Sequence, residues 1–132
     1  MISGLRIVLA LGAVTVLSFA VSAARARLIR FAVTGESMAP TLAEGDFVTA
    51  WRLDVGKRVR PGALVVVRDP RGGSTEMVKR VTGSTRDGAL LVLGDNPSES
   101  TDSRQFGFVS PEFVIGRVVL RYWPPSRLRV FA

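Results

Sequence analysis

The chain has 132 residues, enough for one compact domain and an appendage. It carries 18 Lys and Arg against 11 Asp and Glu, a net charge of +7, and contains neither Cys nor His. Without Cys there is no disulfide, thiolate nucleophile or zinc–thiolate site; without His the usual catalytic triads and most zinc and non-haem iron sites are excluded. Any hydrolytic chemistry must therefore use Ser, Thr, Lys or carboxylates.

The positive charge is spread along the chain, and only two of the basic residues are lysines, Lys57 and Lys79. A nucleic-acid reader would show a basic stripe interleaved with aromatic residues, or a recognisable binding motif. Neither is visible in the sequence, so we expect no nucleic-acid partner. We interpret the basic surface as suited to anionic membrane lipid.

An apolar run without any charged side chain occupies residues 7–24. As a helix it would be about 27 Å long, close to the roughly 30 Å of hydrocarbon in a bilayer. The sequence therefore predicts a transmembrane helix, within an N-terminal anchor and basic linker formed by residues 1–30. Small residues at 20 and 22–24 leave a cleaved signal peptide open as the alternative.

The charges that flank the apolar run bear on its orientation. Arg25, Arg27 and Arg30 follow it, and Arg6 precedes it. The positive-inside tendency therefore favours a cytoplasmic location for the C-terminal part.

Beyond residue 30 the pattern changes to short β-type runs separated by turn signals. The candidate strands are residues 29–34, 46–52, 63–68, 76–81, 89–93 and 114–123. Asp87-Gly88 between two apolar runs indicates a hairpin. The spacing predicts a mainly β domain over residues 31–132, a small antiparallel sheet or partly open barrel. Residues 94–110 are too polar for a strand, so we expect a long ordered loop.

Ser37 lies at the end of an extended run, between Gly35 and Pro40. Glycine permits a positive φ, and such a strand end can present a hydroxyl together with its own N–H. Acyl transfer needs both groups, one as nucleophile and one as oxyanion support. The alternative is that Ser37 is an ordinary turn residue.

Lys79 lies in a candidate strand where alternation places it on the same face as Met77 and Val81. Burial among apolar side chains lowers the pKa of a lysine. A neutral lysine can accept the proton of a serine hydroxyl, whereas an arginine does not deprotonate in proteins. The alternative is that Lys79 extends a charged amine into solvent.

The polar loop contains Ser100, Asp102 and Arg104. A hydroxyl here can orient a neighbouring lysine, and the two charged residues are close enough for an ion pair. A calcium site on Asp95, Asn96 and Asp102 is the other interpretation, but the spacing lacks alternating ligands and a terminal Glu. We expect no metal site.

Three stretches, in this order, resemble the conserved boxes of the signal peptidase I family of membrane-bound Ser/Lys proteases. Residues 35–42 resemble the nucleophile box, residues 78–83 the lysine box, and residues 94–96, 100–104 and 106–109 the C-terminal box. The resemblance runs from about residue 31 to 124 and fits the short, minimal form. It implies a cofactor-free serine endopeptidase that cleaves leader peptides of exported preproteins after small residues at −1 and −3.

The resemblance also assigns roles to particular residues. It implies that Ser37 is the nucleophile, that Lys79 is the general base, and that four residues support or orient them: Gly35, Ser100, Asp102 and Arg104. It implies a substrate-binding set of Phe31, Val33, Met38, Leu42, Met77 and Val78. Many members carry a second hydroxyl at the position of Gly35, so oxyanion support here would fall to the backbone.

For localisation, the resemblance implies a monomer that crosses the plasma (inner) membrane once, with an extracytoplasmic catalytic domain. The arginines after the anchor conflict with that orientation. Two alternatives stay open: a dedicated maturation protease of the same fold for one or few partner proteins, and a non-catalytic membrane-anchored peptide-binding module.

Overall fold

A computed structural model describes the backbone of residues 2–132 and the side chains of residues 7–132. The first element is helix α1, Ile2–Ala26. Within it, Ile7–Ala26 is long and apolar enough to cross a membrane, and none of this span is buried against the rest of the chain. The predicted N-terminal apolar helix is confirmed, with bounds a few residues wider than the uncharged run.

Seven strands follow, and every neighbouring pair is antiparallel. They are β1 (Leu28–Ala32), β2 (Phe47–Arg52), β3 (Leu64–Arg68), β4 (Glu76–Ser84), β5 (Leu90–Leu93), β6 (Val114–Trp123) and β7 (Arg129–Val130). The order across the sheet is β1-β2-β6-β3-β4-β5, and β7 pairs with β6. The predicted antiparallel sheet is confirmed, and it stays open without closing into a barrel.

The strand bounds follow the sequence pattern closely. Strand β6 has the predicted bounds, and the others begin or end within three residues of them. Asp87 and Gly88 lie in the turn between β4 and β5, where Gly88 has a φ of +88°. The hairpin prediction is therefore confirmed.

The central strand β3 separates two hydrophobic clusters, because alternate residues of a strand point to opposite faces. Leu64 and Val66 pack on one face in a cluster with Met38 and Leu42, which come from the segment after β1. Val65 and Val67 pack on the other face, in a second cluster that includes Val81 and Val92. Burying such a side chain contributes about 1.5–3 kcal/mol. The two clusters thus fix β4 and the segment after β1 against a common central strand.

The polar segment after β5 is ordered, as predicted. It contains a 3-10 turn at Pro97–Glu99 and a one-turn helix α2, Ser103–Phe106. Asp102 caps α2 through the backbone N–H of Arg104, and the Gln105 side chain accepts from the backbone N–H of Asp102. A bridge between Leu90 and Val109 closes the segment.

Candidate active site

Ser37 lies in the turn that follows β1. Two buried apolar residues after the serine, Met38 and Leu42, anchor this turn. Gly35 has a φ of +75°, which is one of the two uses of glycine that the sequence left open. Met38 and Leu42 are almost completely buried in the first cluster, and the N–H of Leu42 donates to the carbonyl of Met38. The turn holds Ser37 at the boundary between core and surface.

A buried carboxylate supports this turn from the side of β6. Asp46 is 3.4 Å from Arg121 and 3.0 Å from Arg127. Arg121 also donates to the carbonyl of Thr41 at 2.6 Å, and Arg127 donates to the carbonyl of Pro40 at 3.4 Å. Both cations therefore connect Asp46 to the chain that follows the serine.

Lys79 lies on β4 opposite Val65, with only 3% of its surface exposed. Its Nζ donates a hydrogen bond to Ser100 Oγ at 3.0 Å. Burial lowers the pKa of Lys79; the negative charge of Asp102 opposes this shift, and the positive charge of Arg104 adds to it. The expected sheltering of the amine on β4 is therefore present.

Ser100 connects the lysine amine to a fully buried carboxylate. Its Oγ donates to Asp102 Oδ2 at 2.7 Å. The same carboxylate accepts the Gly94 N–H at 2.8 Å, and from Arg104 it accepts Nε–H at 2.9 Å, an Nη2–H at 2.6 Å and the backbone N–H at 3.1 Å. Burial would raise the pKa of Asp102, but these hydrogen bonds outweigh it and hold the pKa well below its usual range.

Gly94 is the point where the loop with Ser100 meets the turn with Ser37. A Cβ built on Gly94 would lie 2.1 Å from Ser100 Oγ and 2.7 Å from the carbonyl oxygen of Ser37. The N–H of Asn96 donates to that same carbonyl at 2.9 Å, and Asn96 Nδ2 donates to the carbonyl of Glu36 at 3.1 Å. The two segments are therefore in backbone contact beside the serine.

A second ion pair connects three segments: strand β4, the loop after β5 and the turn that follows Ser37. Arg80, next to Lys79 on β4, contacts Asp95 through Nε at 2.8 Å and Nη2 at 2.7 Å. Thr41 Oγ1 donates to the same carboxylate at 2.6 Å. Asp95 and Asp102, which the calcium interpretation needed as ligands, are thus each engaged by an arginine.

Ser37 and Lys79 line one cavity of about 220 Å³. Its lining includes five of the six residues expected to bind substrate, Phe31, Val33, Met38, Met77 and Val78. The sixth, Leu42, is 0% exposed in the first cluster and does not line the cavity. Within residues 7–132, no hydrogen bond joins the Ser37 and Lys79 side chains; the amine bonds to Ser100.

Sequence reasoning gave no role to Thr41 and Arg80, and it considered Asp95 only as a calcium ligand. Arg80 and Asp95 are adjacent to Lys79 and Gly94 inside the boxes, and this position was the available signal. Gly94 was noted as part of a box, but nothing in the sequence showed that a side chain there would collide with Ser100.

Comparison with known proteins identifies the family of the chain. The sequence pattern of the family described as signal peptidase, peptidase S26, matches residues 4–87 and 82–123. The chain belongs to the signal peptidase family. As a member of the signal peptidase family it is a peptidase, and its relatives process leader peptides of precursor proteins.

Three curated relatives illustrate the range of this family. The chain is 35% identical to the mitochondrial ATP-independent inner membrane protease subunit 1a of Arabidopsis thaliana over 118 residues, covering 71% of this chain and 70% of the relative. It is 51% identical over 49 residues to signal peptidase I of Bacillus caldolyticus, covering 36% of this chain and 27% of that protein. It is 49% identical over 41 residues to thylakoidal processing peptidase 1 of Arabidopsis thaliana, covering 31% and 12%. The last two matches thus span about a quarter or less of those relatives.

Proposed function

We propose that this signal peptidase family member is a serine endopeptidase that cleaves leader peptides after small residues at −1 and −3 through a Ser/Lys dyad. The observation that carries this proposal is the buried amine of Lys79, which lines the same cavity as Ser37. Glu76 also lines the cavity, but its side chain is exposed, whereas the amine of Lys79 is buried and has a lowered pKa, which suits a general base. No His or Cys exists in the chain to take its place.

In the first half of the reaction, Ser37 Oγ attacks the scissile carbonyl carbon and its proton passes to the neutral Nζ of Lys79. The tetrahedral intermediate then collapses, the C–N bond breaks, and the resulting ammonium gives its proton to the leaving amine. This leaves an acyl-enzyme on Ser37 and a neutral lysine. In the second half, Lys79 takes a proton from water as the water oxygen attacks the ester carbon; the C–O bond to Ser37 then breaks, and the ammonium of Lys79 returns the proton to Ser37 Oγ.

Ser100 orients the base. Its hydroxyl hydrogen is directed to Asp102, so its oxygen accepts from Lys79. An N–H of the neutral amine directed at Ser100 leaves the nitrogen lone pair free to turn towards Ser37. Small rotations about the lysine side chain then bring Nζ onto the serine hydroxyl, because catalytic hydrogen bonds often tighten only when substrate is bound.

The oxyanion is held by backbone. Ser37 supplies its own N–H, and Gly35, with its positive φ, lets the carbonyl of the substrate approach the turn without a side chain in the way. Asp102 and Arg104 support this arrangement through Ser100 and Gly94.

Two chain segments supply walls of the cavity, residues 31–34 and residues 75–79. Strand β5 pairs with β4 only from Arg80 onward, so within the described chain β4 pairs with β3 alone at Glu76–Lys79. An extended substrate segment between the walls would find free backbone groups on β4. The small volume favours small side chains over large ones, and Val33, Met38 and Val78 supply apolar contacts for them.

Cleavage of a leader peptide by the full chain in detergent tests the proposal. The wild type should cleave a peptide with Ala at −1 and −3, and should cleave one with Leu at −1 at least 100-fold more slowly. Ser37→Ala should abolish cleavage, and Ser84→Ala, an exposed serine at the end of β4, should leave it unchanged. An acylating lactam-type probe should label the wild type and not Ser37→Ala. A folded wild type that neither cleaves nor is labelled would support the non-catalytic peptide-binding module instead.

For location, we propose that α1 crosses the plasma (inner) membrane once and that the catalytic domain is extracytoplasmic. We also propose that the protein is a monomer. The second candidate is a maturation protease for one or few partners at the cytoplasmic face, and Arg25, Arg27 and Arg30 favour it. A reporter whose activity depends on the compartment, fused after Ala132, separates the two. Activity only on the cytoplasmic side would overturn the first orientation.

A further inference from the structure

A groove of about 710 Å³ lies outside the candidate active site. Four cationic residues line it, Lys57, Arg58, Arg60 and Arg117. Trp51, Leu53, Val59 and Ala63 provide an apolar part of the same surface. No Asp or Glu side chain lines the groove.

Within the described side chains, none of these four cations forms an ion pair, whereas the arginines around the candidate active site do. Lys57, Arg58 and Arg60 are exposed and lie within four positions of one another. Like charges held this close repel one another at low ionic strength, and a bound anion removes that repulsion. The positive charge of the groove therefore favours the binding of a negatively charged ligand.

The groove begins where the chain leaves the membrane helix. Helix α1 ends at Ala26, and the carbonyl of Arg27 accepts the Arg52 N–H at 2.7 Å. Arg27 also forms an ion pair with Asp54 at 3.3 Å. Leu28 pairs in register with Trp51, a residue of the groove lining. This end of the groove is thus one or two residues from the end of the span.

We infer that this groove binds one anionic phospholipid, with its headgroup phosphate among the cations and the start of an acyl chain along Trp51 and Leu53. The groove combines cations without ion pairs, an apolar part of its surface and a position beside the membrane helix. This combination matches an amphiphile with a negative headgroup. A single-stranded nucleic acid would match the cations, but successive bases stack on several aromatic side chains, and the groove lining contains one, Trp51. The site is separate from Ser37 and Lys79, so the inference stands or falls independently of the proposed function.

Trp51 provides a probe inside the groove, because the chain has only two tryptophans. In full-length protein carrying Trp123→Phe, Trp51 is the remaining tryptophan. The protein is held in neutral detergent micelles, and phosphatidylglycerol or phosphatidylcholine with brominated acyl chains is added at increasing mole fraction. Bromine quenches a nearby tryptophan, so quenching reports lipid in the groove. Phosphatidylglycerol should quench at several-fold lower mole fraction than phosphatidylcholine, and added salt should reduce this preference.

Two charge-matched variants separate the groove from general attraction. Lys57→Gln with Arg60→Gln removes two groove cations, and Arg68→Gln with Arg129→Gln removes two exposed arginines elsewhere. The first pair should weaken the preference for phosphatidylglycerol by about fivefold per cation removed, and the second should retain it.

Equal quenching by both lipids in the wild type, or equal loss of preference in both double variants, would overturn the inference. Displacement of the lipid by inorganic phosphate at the same concentration would show a phosphate site and overturn the lipid assignment. Displacement by a short single-stranded DNA at lower concentration than the lipid would favour a nucleic acid and also overturn it.

Discussion

Two polar clusters flank the turn that carries Ser37, and they differ in the groups that contact their cations. In the first, Asp46 contacts Arg121 and Arg127 directly. In the second, Asp102 contacts Arg104 directly, but a serine hydroxyl separates it from the lysine. Each arginine in these clusters has a carboxylate partner, and the buried lysine has a hydroxyl.

The difference shows how the fold keeps one cation ready to lose its proton. A carboxylate in direct contact stabilises a positive charge and raises the pKa of the cation, as Asp102 does for Arg104. Ser100 keeps the carboxylate one hydroxyl away from Lys79, so burial dominates and the pKa of the lysine falls. The predictions below each remove or alter one part of this contrast.

Lys79→Arg should have the largest effect, because it replaces the only cation without a carboxylate partner in the two clusters with one that stays charged. We expect kcat/KM for leader-peptide cleavage to fall by about 10³-fold or more, with folding retained. The other lysine supplies the matched control, and Lys57→Arg, exposed outside the cavity, should change activity less than twofold. Full activity of Lys79→Arg would remove the general base from the account.

Gly94→Ala should have the next largest effect, because the new Cβ would collide with Ser100 Oγ and the Ser37 carbonyl at once. Both groups must move, so the distance between nucleophile and base changes, and displacements of about 1 Å cost roughly 100-fold in kcat. Gly83→Ala on β4 is the control, since its nearest new contact is Leu91 Cβ at 3.9 Å. Comparable kcat for both variants would show that the close approach at Gly94 is unimportant.

Ser100→Ala should have a moderate effect, about 10- to 100-fold on kcat with little change in KM, because the base loses its orientation. It should also move the pH profile towards alkaline values, since Asp102 then acts on Lys79 without the hydroxyl between them. Ser100→Thr keeps the hydroxyl and should restore most of the activity. A lower kcat with an unmoved pH profile would assign Ser100 a structural role only.

Lys79→Met should have the smallest of the four effects, and it is measured on stability. Whereas the other substitutions lower activity, this one should raise thermal stability. The pKa of Lys79 is lowered in the folded protein, so the unfolded chain binds this proton more tightly. The lowered pKa of Lys79 therefore reduces the stability of the fold at neutral pH, and this cost disappears as pH rises towards about 10.4, the ordinary lysine pKa. Lys79→Met should raise the melting temperature at pH 7, with a smaller gain at pH 10. A gain that is equal at both pH values would contradict a charged origin.

Much of the fold followed from the sequence, because it depends on local pattern. Alternation and turn residues gave six strands and the Asp87-Gly88 hairpin, and the uncharged run gave α1. Strand β7 was missed because two residues carry no readable periodicity. Whether the sheet closed was also unreadable, because closure depends on how distant strands pair.

The candidate site was predictable only in part. Alternation on β4 correctly placed Lys79 with Met77 and Val81, and Val78 on the opposite face. Leu42 is buried in the core and does not line the cavity. The sequence could not show this, because an apolar residue two positions after a turn proline can line a pocket or pack in a core. Contacts between distant segments, such as Asp95 with Arg80, need the tertiary structure.

Titration of the lysine side chains tests the central claim most directly, and the chain offers an unusually clean experiment because it has only two lysines. Full-length protein labelled with ¹³C and ¹⁵N in lysine should give two side-chain signals in micelles, assigned with Lys57→Arg. We predict that Lys79 titrates clearly below the ordinary lysine pKa of about 10.4, at a pH where cleavage activity rises. If the Lys79 signal titrates at or above that ordinary value, Lys79 is not the base described here.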